Sequence, residues 1–155
     1  MYQFSLHNLS ETERFGHILG RGAQPGFLYC LDGDLGAGKT TLTQYIAEAL
    51  GLEEKLPVSS PSFAIMLEYR GPLPLYHMDF YRLYSADDVL GLGLDEYFYK
   101  RGLCVVEWGK RAAEILPDQQ LGISLEVCGE SQRLVSLRAT TDYRRLLEEI
   151  QQTFI

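Results

Sequence analysis

Cysteine is scarce in this 155-residue chain: Cys30, Cys104 and Cys128 are the only three. They lie far apart, inside apolar runs, in odd number and without CxxC spacing. This pattern disfavours a disulfide framework or a zinc site and predicts reduced, buried thiols in a cytoplasmic protein. Basic residues are in deficit, 14 Lys and Arg against 21 Asp and Glu, for a net charge of −7. A protein that grips nucleic acid by neutralising phosphates needs a basic face, so that class is disfavoured, though a basic patch within a partner complex is not. No run approaches membrane-spanning length, and the N-terminus lacks the basic-then-apolar layout of a signal peptide, which again predicts a cytoplasmic protein. Internal repeats, low-complexity runs and linkers are absent too. With 46% hydrophobic and 23% charged residues, the chain is expected to form one domain over 1–155 with a proper core.

What is present centres on Phe27 to Gly51, FLYCLDGDLGAGKTTLTQYIAEALG. Phe27 to Leu31 is a short apolar run that reads as a buried strand. Gly33-Asp34-Leu35-Gly36-Ala37-Gly38-Lys39-Thr40 fits the phosphate-binding pattern of Gly, four residues, then Gly-Lys-Ser/Thr. The glycines let the backbone turn tightly and bring N–H groups against phosphate oxygens. Leu42, Ile46 and Ala49 recur at helical spacing, so a helix follows and points its positive end at the same anion, with Gly51 at its C-cap. Lys39 supplies a mobile charge for the β and γ phosphates, and the Thr40 hydroxyl suits Mg²⁺.

Around that centre the remaining elements fall in order. Tyr2 to Leu6 reads as a strand. Ser10 and Glu13 form a capping box for a helix to about Gly20, with Phe15, Ile18 and Leu19 facing inward and Thr12 solvent-facing in the first turn. Pro57 and Pro61 exclude regular helix, and Ser60 or Ser62 could reach Mg²⁺ or a γ-phosphate from a switch-like loop. Phe63 to Tyr69 reads as a strand. Leu75 to Leu83 is an extended run ending in HMDFYR, which puts Asp79 at a strand's C-terminal edge, where α/β proteins place their ligands. His77 shares that strand face and reads as structural. Arg82 is a candidate for contact with phosphate or a partner, against an ordinary surface ion pair.

Ser85 opens a short helix ending near Gly91 and Gly93, and Leu94 to Lys100 is expected to pack as a helix or turn. Leu103 to Val106 followed by Glu107 is a buried strand delivering a carboxylate to the metal side of a P-loop, so Glu107 is the preferred metal-side acid and Asp79 the second. Trp108 beside it reads as core. Lys110 to Leu116 is a brief helix stopped by Pro117. Leu121 to Cys128 and Arg133 to Ala139 form an antiparallel hairpin, and a helix runs from about Asp142 with Tyr143, Leu146, Leu147 and Ile150 inward. The fold class is thus α/β: a P-loop NTPase-like mixed sheet flanked by helices, with an antiparallel hairpin near the C-terminus.

Taken together, GDLGAGKTT, SPSF, HMDFYRL and VVEWGK resemble the TsaE (YjeE) family in order and spacing. The resemblance spans the helix of Thr12 to Pro117; beyond about residue 120 only the architecture is similar. It implies a cytoplasmic ATPase needed for the threonylcarbamoyladenosine modification of tRNA. Such a protein works with TsaB and TsaD, and TsaD transfers the threonylcarbamoyl group to adenosine 37. Contact with tRNA is then indirect, and neither DNA nor membrane is implied.

Carried onto this chain, the resemblance gives phosphate binding to Lys39 and the loop Gly33, Asp34, Leu35, Gly36, Ala37, Gly38 and Thr41. It gives Mg²⁺ binding to Thr40, a switch role to Ser62, and the acids of two motifs to Asp79 and Glu107. Thr12 matches a threonine near the nucleotide base. The family usually has Thr where Ser62 stands and Pro where Gly109 stands, and the second departure is expected to loosen the loop after Glu107.

The leading function is therefore ATP hydrolysis that resets a modification complex, with Asp79 or Glu107 positioning water. No dedicated transition-state cation stands out, which predicts slow turnover alone and stimulation by partners. The alternative is a nucleotide-gated module in which ATP binding, not turnover, controls docking. A small-molecule kinase is disfavoured because no arginine-rich lid is present. Without an NKxD guanine-reading motif, ATP rather than GTP follows from the resemblance.

Overall fold

In the computed structural model, which describes residues 1–53 and 58–155, the apolar run after Phe27 becomes strand β2, Leu28–Asp32. Its first four residues are buried, as a strand covered on both faces requires. Six other strands join it: β1 Tyr2–Leu6, β3 Met66–Tyr69, β4 Leu75–Asp79, β5 Leu103–Glu107, β6 Leu121–Val127 and β7 Arg133–Ala139. They form one sheet in the order β1-β7-β6-β2-β5-β4-β3. The centre, β6-β2-β5-β4, is parallel, and the pairs β3-β4, β6-β7 and β1-β7 are antiparallel. The expected α/β fold is what the chain adopts, including the hairpin near the C-terminus.

Side chains alternate across the sheet because strand residues point to opposite faces in turn. Tyr29, Leu31, Leu75, Leu103 and Val105 face the core shared with helices α1 Leu9–Arg21, α2 Lys39–Leu50 and α4 Arg144–Phe154. Leu28, Cys30, Met78, Cys104 and Val106 face a second core under α3 Ala86–Gly91 and the 3-10 turns Leu94–Tyr99 and Gly109–Ile115. Helix α4 is pinned to the sheet by buried Tyr143. Its hydroxyl accepts the Leu28 N–H at 3.0 Å and lies 3.3 Å from the Leu28 carbonyl.

Helix α1 lies directly against α2. A Cβ on Gly16 would run into Cβ of Tyr45, and one on Gly20 would stand 2.5 Å from the Ile46 carbonyl oxygen and 2.7 Å from Cβ of Ala49. No side chain fits there.

Four expectations need correction. The N-cap of α1 is Asn8, not Ser10: its Oδ1 accepts the Glu11 N–H at 2.9 Å, and the Glu11 carboxylate accepts the His7 N–H at 2.7 Å. Asparagine caps as well as serine, so a reciprocal pairing of the capping-box kind forms two residues earlier. That start turns Thr12 inward, where it is buried instead of solvent-facing. The strand expected from Phe63 begins only at Met66. Ile65 takes a left-handed φ of 68°, its N–H donates to the Pro61 carbonyl, and its carbonyl accepts the Asp79 N–H at 2.8 Å. Residues 61–65 are thereby folded into a turn instead of a ladder. Finally, Cys128 is exposed at the hairpin end, while Cys30 and Cys104 are buried as expected. Pro57 lies outside the described residues.

Candidate functional site

Strand β2 ends at Asp32 and feeds the glycine-rich loop directly into α2. Gly33 admits no side chain: a Cβ there would approach the Leu125 carbonyl oxygen to 2.8 Å. Gly38, the residue before α2, holds φ 104°, a conformation side chains rarely adopt. No side chain caps the N-terminus of α2, so its first amides are left to an anion. From the far hairpin, Arg133 Nε donates to the Ala37 carbonyl at 2.7 Å while its Nη1 bonds the Gly129 and Gln132 carbonyls at 3.1 and 2.9 Å. That guanidinium fastens the loop to β7. Lys39 is itself buried; its ammonium donates to the Gly33 and Asp34 carbonyls and lies 4.6 Å from the centre of the Trp108 ring.

The two acids arrive by strand register. Leu31 pairs with Glu107, and Glu107 with Asp79, so the carboxylates stand in one row at the C-terminal edge of three adjacent parallel strands. Asp79 and Glu107 are only 4% and 3% exposed, which rules out a solvated strand-end charge for Glu107. Buried carboxylates need partners. Glu107 Oε2 accepts from Nε2 of fully buried His77 at 2.7 Å, and Asp79 Oδ1 accepts the Tyr81 N–H at 2.9 Å. Burial holds the Asp79 carboxyl above its ordinary pKa, and the nearby Glu107 charge pushes the same way. The Tyr81 amide, His77 and Lys39 pull against that rise.

These groups enclose a cleft of about 360 Å³. One wall is the loop and first turn of α2, from Leu35 to Thr41. The floor is Asp79 and Glu107, and the opposite wall carries Ser60, Ser62, Tyr81, Arg82 and Trp108. Lys39, Thr40, Ser62, Asp79 and Glu107 are thus gathered from five separate parts of the chain. Gly33 and Asp34 line an adjoining cavity of about 230 Å³ with Trp108 and Lys110. Thr12 is on neither wall; its Oγ1 lies 3.3 Å from the Asn8 carbonyl within α1.

Three features were not evident from local sequence. Trp108, read as core, is half-buried on the cleft wall at a left-handed φ of 58°. Arg133 was seen only as the start of a strand, and nothing near it signals a partner 96 residues away. Gly109 does not loosen its loop: it is buried, and any Cβ there would collide with Sγ of Cys30.

Comparison with known proteins places this arrangement. The family described as "Threonylcarbamoyl adenosine biosynthesis protein TsaE" matches residues 6–135. The Bacillus subtilis protein named tRNA threonylcarbamoyladenosine biosynthesis protein TsaE is 43% identical over 147 residues, covering 94% of this chain and 90% of that protein. The Treponema pallidum protein of the same name is 40% identical over 127 residues, 82% of this chain and 93% of that one. The crystal structure of Bacillus subtilis YdiB superposes with a TM-score of 0.80 at 38% identity, covering 98% of this chain and 95% of that one. With its loop, its acid row and these relatives in agreement, the chain belongs to the TsaE family.

Proposed function

We propose that this protein is a Mg²⁺-dependent ATPase that serves threonylcarbamoyladenosine synthesis on tRNA together with TsaB and TsaD. The observation that carries the reading is the row of two buried carboxylates facing a complete phosphate-binding loop and its lysine. The loop amides and the start of α2 would bind the phosphate chain, and Lys39 would turn from the loop carbonyls to the β and γ phosphates. Thr40, Asp79 and Glu107 offer only oxygen donors, the set that suits Mg²⁺. The ion, bridging β and γ oxygens, would neutralise charge as it develops.

Of the two acids, Glu107 is fixed by His77, while Asp79 is tied through one oxygen to the Tyr81 amide. We assign Glu107 to the metal side and Asp79 to orienting the attacking water. Hydrolysis would then reset the complex with its partners. The test is ATP hydrolysis by the purified chain with Mg²⁺, alone and with TsaB and TsaD, against Lys39→Ala. Turnover that depends on Lys39 and rises with the partners supports the reading; turnover indifferent to Lys39 sinks it.

A nucleotide-gated assembly module remains the second reading. It is favoured by the exposure of Phe63, 82%, on the turn that carries Ser60 and Ser62 to the cleft. Glu107→Ala discriminates. If that variant binds ATP, does not hydrolyse it and still supports modification, gating is the function.

A further inference from the structure

Arg82 stands on the wall of the phosphate cleft, three residues after Asp79, yet pairs with no carboxylate among the described residues. Its guanidinium instead lies 4.0 Å from the centre of the Phe63 ring, on the turn that brings Ser60 and Ser62 to the same cleft. An arginine beside a phosphate site with no partner but an exposed aromatic face is held there weakly. Arg111, the other arginine nearby, does not line the cleft and lies 5.9 Å from both the Tyr81 and Trp108 rings.

We propose that Arg82 is the transition-state cation of this site, parked on Phe63 and released to the γ-phosphate when the turn at residues 60–65 moves. The inference rests on the hydrolytic reading above and corrects the expectation that the chain brings no such cation. As the water oxygen bonds to the γ-phosphorus, the bond to the bridging oxygen breaks and its electron pair leaves with ADP. One water proton stays on inorganic phosphate and the other goes to solvent. Charge gathers on the bridging and γ oxygens, where a planar guanidinium donates two N–H bonds. Parking also explains why the isolated chain should turn over slowly, since a partner that covers Phe63 frees the arginine.

The experiment compares the wild-type chain with Arg82→Ala, Arg82→Lys and Phe63→Ala. Both side chains are exposed, so folding is not at stake. Two readouts are used: steady-state ATP hydrolysis, and trapping of labelled Mg·ADP by aluminium fluoride, which mimics the transferring phosphoryl group. Arg82→Ala should lower kcat on the order of 10²-fold with KM nearly unchanged, below the roughly 10³-fold of a fully engaged arginine finger because the side chain is mostly parked. It should also abolish trapping while leaving ADP affinity intact, and Arg82→Lys should fall between.

Phe63→Ala should raise kcat about two- to fivefold, the population shift equivalent to an exposed cation–π contact of about 0.5–1 kcal/mol. Arg82→Ala that still hydrolyses and traps like wild type overturns the proposal while leaving the ATPase reading intact. A Phe63→Ala chain no faster than wild type overturns the parking. A wild-type chain with neither Lys39-dependent turnover nor trapping overturns both readings.

Discussion

Replacing Gly109 by alanine tests whether the residue after Trp108 is chosen for space. Its Cβ would fall inside 3.0 Å of Cys30 Sγ and stand 3.1 Å from Leu116 Cδ1, in a core where Gly109 and Cys30 are both buried. Close-packed interiors yield little to such an intrusion, so Gly109→Ala should cost about 1–3 kcal/mol. Cys30→Ala alone removes one buried heavy atom, about 1 kcal/mol. The double variant deletes the sulfur that the new methyl strikes, so it should be no less stable than Cys30→Ala, a coupling of about 1–2 kcal/mol where independent sites would add. Gly109→Pro should be worse than alanine and less fully rescued, because the Gly109 N–H also approaches the thiol sulfur and proline has none. Urea unfolding of the four chains measures the cycle. Additive losses within about 0.3 kcal/mol would refute the argument that this glycine and this cysteine are a matched pair.

Three other outcomes are expected. Arg133→Ala removes the bond to the Ala37 carbonyl and should weaken Mg·ADP binding about tenfold, by titration calorimetry, through a loop less well held for phosphate. Tyr143→Phe strands the Leu28 N–H in the core and should cost about 1–3 kcal/mol in thermal or urea unfolding. Burial pushes the thiols of Cys30 and Cys104 and the Tyr143 hydroxyl up to about 12 from ordinary values of 9.0 and 10.0. The folded chain therefore keeps protons that the unfolded chain loses, and stability should fall as pH rises from about 9 toward 12. In the same chain at pH 8 a thiol reagent should modify exposed Cys128 and spare the other two, which mass spectrometry reads directly.

The loop and its two flanking elements were legible because everything that makes them is local: an apolar strand, glycines at fixed offsets, a helical period and a terminal Gly51 in left-handed conformation. Both acids were legible as strand ends. Their alignment was not, because it depends on β5 lying between β2 and β4, and strand order is set by long-range packing. Competition between equal local signals explains the cap: Asn8 and Ser10 both suit the position, and burial of one helix face decides. The late start of β3 has a similar cause, since Ile65 favours a strand by type but its carbonyl is claimed by the Asp79 amide. Arg133 and the pairing of Gly109 with Cys30 are contacts between distant segments and leave no trace in spacing.

The bare approach of α1 to α2 through Gly16 and Gly20 gives the cleft one fixed jaw. With no side chains between them to repack, the two helices can shift only as a single plank, and α1 is carried in turn by the sheet edge through β1. A nucleotide arriving at the start of α2 therefore meets a surface that does not tilt. Whatever adjustment distinguishes triphosphate from diphosphate must come from the other jaw, the turn bearing Ser60, Ser62 and Phe63. Change of bound state is thus felt on one side of the molecule alone, and that is the side a partner would have to touch in order to sense it.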